Sequence, residues 1–171
     1  EKVEKLSVTD GLTGLVNHHQ MQALLKNELI RCQRYASSLS IIMMDLDHFK
    51  NVNDTYGHQK GDDILLYFAS IMNKFCRSMD IASRYGGEEF ILVLPETNLQ
   101  GAFYIAERIR EEIDSQTFHH KGQDFKITVS CGIAEFKPEI IKIPADLIKI
   151  ADQALYKAKQ EGRNRTIVGK P

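Results

Sequence analysis

Four carboxylates fall in two short stretches of this chain: Asp45 and Asp47 in Met44-Asp45-Leu46-Asp47, and Glu88 and Glu89 in Gly86-Gly87-Glu88-Glu89-Phe90. Each pair adjoins a run of core-type residues, Ile41 to Met44 in one case and Phe90 to Leu94 in the other. If the two runs are strands paired in the centre of one sheet, the acids converge at its edge. Oxygen-rich clusters suit hard cations, and magnesium in particular uses one or two protein carboxylates together with substrate phosphates and water. A pair of such ions about 3.5–4 Å apart stabilises the attacking and leaving oxygens of a phosphoryl displacement. Gly86 and Gly87 add to this reading, because a turn without side chains lets a nucleotide approach the backbone. Either motif alone has a plainer explanation: Asp45 and Asp47 as the cap of a strand, and Gly-Gly-Glu-Glu as a solvated hairpin tip.

Between the two pairs lies Phe49-Lys50-Asn51-Val52-Asn53-Asp54-Thr55-Tyr56-Gly57-His58-Gln59-Lys60-Gly61-Asp62. Its polarity and turn-forming residues predict a ligand loop. Lys50 can neutralise phosphate charge, and Asp62 can accept the N1 and N2 protons of guanine, a pattern adenine does not offer. The alternative for Asp62 is an N-cap role at the start of the next helix.

The elements that must hold these groups follow from periodicity. Met21, Leu24, Leu25 and Leu29 mark an amphipathic helix to Tyr35, and Ile41–Met44 reads as a buried strand whose period of two places Asp45 and Asp47 on one side. A second helix is expected over Asp62–Cys76, with its acids near the positive end of the helix dipole. Ile81–Tyr85 and Glu89–Leu94 flank the Gly-Gly turn as a hairpin that Pro95 ends. A third helix carries Ala102, Ala106, Ile109 and Ile113, followed by a hairpin. Ile127, Val129, Cys131 and Ile133 alternate as a half-buried strand whose face Phe125 continues. A last helix over Leu147–Ala158 is closed by Gly162. This order predicts an α+β fold: a ferredoxin-like, split β-α-β-β-α-β core with a mainly antiparallel sheet, flanking helices and an extra hairpin.

With 171 residues, 43% of them hydrophobic, the chain can build one continuous core. A net charge of -1 gives no sign of a nucleic-acid binder or a polybasic membrane anchor. Cys32, Cys76 and Cys131 are scattered and odd in number, which fits a reducing compartment, and the apolar runs are too short to cross a bilayer. A cytoplasmic protein, or the cytoplasmic domain of a larger sensor, is expected. Glu1–Leu6 favours helix, so residues 1–10 are expected to end an upstream helical linker, with the nucleotide-handling domain over 11–171.

The residues resemble the GGDEF-domain diguanylate cyclases along essentially the whole chain. The signature stands here as Arg84-Tyr85-Gly86-Gly87-Glu88-Glu89-Phe90. The lead-in matches at Asp10-Gly11-Leu12-Thr13-Gly14-Leu15-Val16-Asn17, and the metal and substrate segment at Asp45-Leu46-Asp47-His48-Phe49-Lys50 with Asn53-Asp54. The resemblance implies a palm-like fold and the condensation of two GTP into cyclic di-GMP and two pyrophosphates. It implies magnesium, two ions per site with manganese able to substitute, held by Asp45, the Leu46 carbonyl and Glu88, with Glu89 in support. Glu88 would also be the base for the 3′-hydroxyl and Lys50 would steady developing charge. Phe49, Asn53, His58, Asp62, Gly86 and Gly87 would meet the nucleotide, and Lys159 and Arg163 its phosphates. Each domain would hold one GTP, so the active unit would be a homodimer governed by an upstream sensor domain. Arg77 and Asp80, with Arg108 in support, would bind the product as a feedback inhibitor; the plainer role for Arg77 is to complement the last turn of a helix. One departure is His18, where the family carries arginine. The pairs His18-His19 and His119-His120 lack a metal-ligand spacing and receive no role.

Other classes compete with this one. A receptor that kept the fold but lost turnover would have neutral residues at Asp45 or Glu88. An ATP-using or mixed cyclase is opposed by Asp62, and a purely structural dimerisation domain leaves the acidic hairpin without use.

Overall fold

Eight consecutive buried residues, Leu39–Leu46, form β1, and they are buried because helices cover both faces of the sheet they centre. The structure, a computed structural model, describes residues 7–171. Antiparallel partners flank β1: β3 (Glu89–Pro95) on one side and β6 (Val129–Glu135) on the other. Beyond β3 lies β2 (Ile81–Arg84), and beyond β6 lies β7 (Thr166–Val168), the one strand that pairs in parallel, giving the order β2-β3-β1-β6-β7. Removing β7 leaves β2-β3-β1-β6, the strand order of the split β-α-β-β-α-β core read from the sequence. The edge strand β7 was not foreseen; it is three half-buried residues, too short for a periodicity to show.

On one face, Ile42, Met44 and Leu46 pack against α3 (His58–Phe75) and α4 (Leu99–Ser115); on the other, Leu39, Ile41 and Met43 pack against α1 (His18–Tyr35) and α5 (Pro144–Gln160). Caps agree with the sequence where side chains can act locally: Asn17 accepts from the amide of Gln20 and Asn98 from that of Gly101. Gly162 stands one residue past the α5 cap with φ of 121°, a conformation that favours glycine.

Three expectations change. The segment read as a ligand loop is helical: α2 spans Phe49–Tyr56, and α3 starts at His58 after the single residue Gly57. Asn, Asp, Thr and Gly hide this helix from propensity, but burial of Phe49 and Val52 one turn apart overrides them. Asp62 therefore lies a turn inside α3 and is not its N-cap. The strand through Cys131 is fully buried over Val129–Ala134 and not half-buried, because α4 and α5 cover its opposite faces. Phe125 is not on that strand. It belongs to a separate hairpin, β4 (Phe118–His120) with β5 (Gln123–Phe125), where its ring stacks on Tyr56 with centroids 4.0 Å apart.

Of the segment read as a linker, residues 1–6 lie outside the described residues. Thr9 bridges to Val16 and the Asp10 amide donates to the Leu15 carbonyl, so residues 9 and 10 are folded onto the domain.

At Gly132 on β6 the helix α5 packs closely on the sheet: a β-carbon there would overlap the Ala151 carbonyl oxygen and the Leu155 nitrogen, both backbone atoms. Gly132→Ala is expected to cost about 3 kcal/mol through forced separation of helix and sheet. Thermal unfolding should show a drop of roughly 6–12 °C; a variant that melts with the parent would mean that α5 is not seated as described.

Candidate active site

The last residues of β1 bring the acids together. Asp45 faces Glu89 across the β1–β3 ladder and Ser130 across the β1–β6 ladder, and the Leu46 amide donates to the Glu88 carbonyl at 3.2 Å. Asp45 is 5% exposed, and its carboxylate accepts a 2.6 Å bond from the Lys159 ammonium at the end of α5. Burial pushes its pKa up to about 6; Lys159 opposes this, and the charges of Glu88 and Glu89 push it further up. This is a desolvated acid with acidic neighbours and a single fixed cation, a donor set that fits a hard cation. Among the described residues no three acid, histidine or cysteine side chains are grouped as a complete metal cage.

Asp47, equally buried, is a different group. Its two oxygens accept from the Thr128 and Ser130 hydroxyls, each at 2.7 Å, and from the Asn164 amide at 3.1 Å. It ties β1 to β6 and to the segment after α5.

The bend Gly86-Gly87-Glu88 is closed by amides of Tyr85 and Gly86 donating to the Glu89 carbonyl at 2.8 and 3.1 Å. Arg84 spans it, donating to the Gly86 carbonyl at 3.2 Å and the Gly87 carbonyl at 2.7 Å, while its other nitrogen meets Asp10 at 3.3 Å. Burial pushes the Asp10 carboxyl up, but bonds from Thr13 and the charge of Arg84 hold it below the usual carboxylate range. His18, given no role from the sequence, stacks on Tyr85 with ring centroids 4.3 Å apart. Arg84 and His18 thus join the lead-in to the acidic turn, a link between distant segments that no local pattern could reveal.

On α2, Phe49 is buried, Lys50 is exposed and Asn53 is half-buried. A β-carbon at Gly61 would overlap the Asn53 side chain, so this glycine lets α2 and α3 close with Asn53 beside the start of α3. Gly61 was not singled out from the sequence; its signal is a lone glycine inside a helix. His58 and Asp62 stand exposed on α3. Arg163 follows α5 in the left-handed region with φ of 63°, its amide bonded to the Ala158 carbonyl.

A family model described as diguanylate cyclase, GGDEF domain, matches residues 7–165. The chain belongs to the GGDEF diguanylate cyclase family. It is 39% identical over 165 residues to the diguanylate cyclase DgcP of Pseudomonas aeruginosa, covering 96% of this chain and 24% of that protein. The GGDEF domain of DgcB from Caulobacter crescentus, solved in complex with c-di-GMP, superposes with a TM-score of 0.93 at 34% identity, covering 100% of this chain and 98% of that one. The active GGEEF domain of a diguanylate cyclase from Vibrio cholerae does so with a TM-score of 0.86 at 34% identity, covering 92% and 99%. The chain spans less than half the length of the curated relatives first matched. Among the described residues no helix is long and apolar enough to cross a membrane.

Within this GGDEF domain, Arg77 and Asp80 form a tight turn away from the acids. The Arg77 amide and guanidinium meet the Asp80 carboxylate at 2.7 and 3.0 Å, and the guanidinium also donates to the Pro95 carbonyl and the Thr97 hydroxyl, each at 2.8 Å. Arg108 donates to the Tyr104 hydroxyl at 2.6 Å and lies over the Phe75 ring. Arg77, Phe75 and Tyr104 line one groove, so the structure brings these separate segments to a common surface.

The position of Asp45 has a stability cost. Its folded pKa lies above the unfolded value of 3.8, so the stability it contributes is present at low pH and lost as pH rises through about 6. Asp45→Asn is expected to stabilise the metal-free protein by about 1–2 kcal/mol at pH 7.5. Thermal melts should show the gain shrinking between pH 6 and 4; a loss of stability at pH 7.5 would contradict the electrostatics described.

Proposed function

We propose that this GGDEF domain is the catalytic unit of a diguanylate cyclase, joining two GTP into cyclic di-GMP with release of two pyrophosphates. The observation that carries the reading is the buried Asp45 carboxylate facing the Glu88-Glu89 turn across the β1–β3 ladder, with Lys159 as its one fixed counter-charge among the described residues.

In each half-reaction the 3′-oxygen of one GTP bonds to the α-phosphorus of the other, and the bond to pyrophosphate breaks. Glu88 takes the 3′-hydroxyl proton. Asp45, the Leu46 carbonyl and Glu88, with Glu89 in support, are the residues that would hold two magnesium or manganese ions, whose chemistry is to stabilise charge on the attacking and leaving oxygens. Lys50 steadies charge on the transferring phosphoryl group. Lys159 and Arg163 contact the phosphates; Lys159 has a choice of partner, Asp45 in this structure and phosphate oxygen when GTP is bound. Asn53 and Asp62 read guanine, His58 and Phe49 border the nucleotide, and Gly86 and Gly87 leave room for it. Each domain presents one such site, and a cyclic product needs two, so the active unit is a homodimer. Residues 9–171 form the cyclase domain, and an upstream regulatory segment brings two domains together.

Concentrated protein with GTP and magnesium should yield cyclic di-GMP by mass spectrometry, concentration favouring the dimer. Glu88→Gln should lower the rate at least 100-fold, the range for removing a general base, and chelation of metal should abolish product. Product from a metal-free sample would exclude this mechanism.

The Arg77–Asp80 turn, with Arg108 nearby, is the proposed site at which product inhibits. Arg77→Ala should raise the inhibition constant for cyclic di-GMP about tenfold or more, as expected when a charge-assisted contact is lost. An unchanged constant would remove the site from these residues.

A further inference from the structure

The residues that follow α5 are held by a polar cluster that the reaction as described does not use. Arg163 and Asn164 are consecutive left-handed residues, with φ of 63° and 46°, and neither is glycine. Left-handed backbone is unfavourable for residues with a β-carbon, asparagine being the most tolerant, so this turn needs external ties. Asn164 supplies them with its backbone amide and both polar atoms of its side chain. Its amide N–H donates to Asp47 Oδ2 at 3.1 Å, its Oδ1 accepts from Arg110 Nη1 at 2.9 Å, and its Nδ2 donates to Asp114 Oδ2 at 3.2 Å. Arg110 is itself oriented by Glu107, which also accepts from the Thr166 hydroxyl at 3.1 Å at the start of β7. The Arg110 side chain is only 16% exposed, so its charge acts with little screening.

This cluster joins the end of β1 to α4 at the point where the phosphate-contacting residues sit. Asp47 is two residues from Asp45, in the turn that leaves β1; Asn164 follows Arg163 directly and lies one short turn beyond Lys159. The acid that holds Asn164 and the acid that faces Glu89 are therefore parts of one rigid segment. We infer that Asn164, clamped by Asp47, Arg110 and Asp114, is a positioning residue that fixes where Arg163 places its charge relative to Asp45. The inference rests on the GTP reading above and extends it: triphosphate binding depends on a residue that does not touch the nucleotide.

Asn164→Gly is the informative variant, since glycine keeps the left-handed turn and the amide bond to Asp47 but removes both side-chain bonds. Arg110 retains Glu107, and Asp114 is partly exposed, so the fold should survive. The probes are α,β-methylene-GTP with magnesium, which cannot release pyrophosphate, and guanosine, which has no phosphate. Affinity for α,β-methylene-GTP should fall about tenfold, the scale of one misaligned charge-assisted contact, while guanosine affinity stays at the parent value. In an Arg163→Ala background, Asn164→Gly should add less than about twofold, because coupled residues are not additive. Asn164→Asp, which keeps the Arg110 bond but sets two carboxylates against each other at Asp114, should give an intermediate loss and serves as the test if the glycine variant does not fold.

Parent-like affinity for α,β-methylene-GTP in both variants would overturn the inference. So would equal losses for the two probes, which indicate general loosening, or full multiplication of the losses in the double variant. A parent protein that binds guanosine but gains nothing from the triphosphate would defeat the functional reading and this inference together, whereas failure in the variants alone defeats only the inference.

Discussion

The antiparallel pairing of β1 with β3 is the constraint on which the site depends. It places Asp45 opposite Glu89 at the end of a wholly buried strand, so a carboxylate is held where water is nearly excluded. An acid in such a place is stable only with a compensating positive charge. Lys159 supplies one, from a helix whose own seat on the sheet depends on the absence of a side chain at Gly132. The packing of α5 against β6 and the electrostatics of Asp45 are consequently one problem: if the helix moves, the acid loses its cation.

Asp45 and Asp47 show how neighbours decide what a residue does. They are the same type, two positions apart where β1 ends, and equally buried. Asp47 is saturated by hydroxyl and amide donors, so it acts as a tie between segments. Asp45 meets one cation and two acids, and the imbalance is what suits it to take up an additional positive charge. Burial with too few donors costs stability at one position, and saturation by donors supports it at the other.

Two further groups hold the acidic turn and the turn at Arg163 in place. Arg84 fastens the Gly-Gly bend to Asp10 in the lead-in, and Asn164 fastens the Arg163 turn to β1 and α4. Both turns depart from regular secondary structure, so neither can define its own geometry through ladder or helix hydrogen bonds. A few charge-assisted side-chain bonds do it instead. The groove around Arg77 lies elsewhere on the same helices and shares α4 with the Asn164 cluster, Arg108 on one side and Arg110 on the other.

Local pattern alone determined the strands ending in Asp45 and beginning at Glu89, the amphipathic helices, the strand order of the core and, through the motifs, the family. Burial of one face writes a period into the chain, and a Gly-Gly turn between two apolar runs has few alternatives. Tertiary structure decided the rest. The helix over Phe49–Tyr56 exists because Phe49 and Val52 find a core, against the propensity of their neighbours. The strand through Cys131 is buried on both faces because two distant helices cover it, and β7 is a strand only because β6 offers it an edge. The partition of Asp45 and Asp47 into a cation-seeking acid and a structural one is also invisible in sequence, since Lys159, Thr128, Ser130 and Asn164 all lie more than eighty positions away along the chain. A residue's period is written locally, but its electrostatic environment is made of whatever the fold brings beside it.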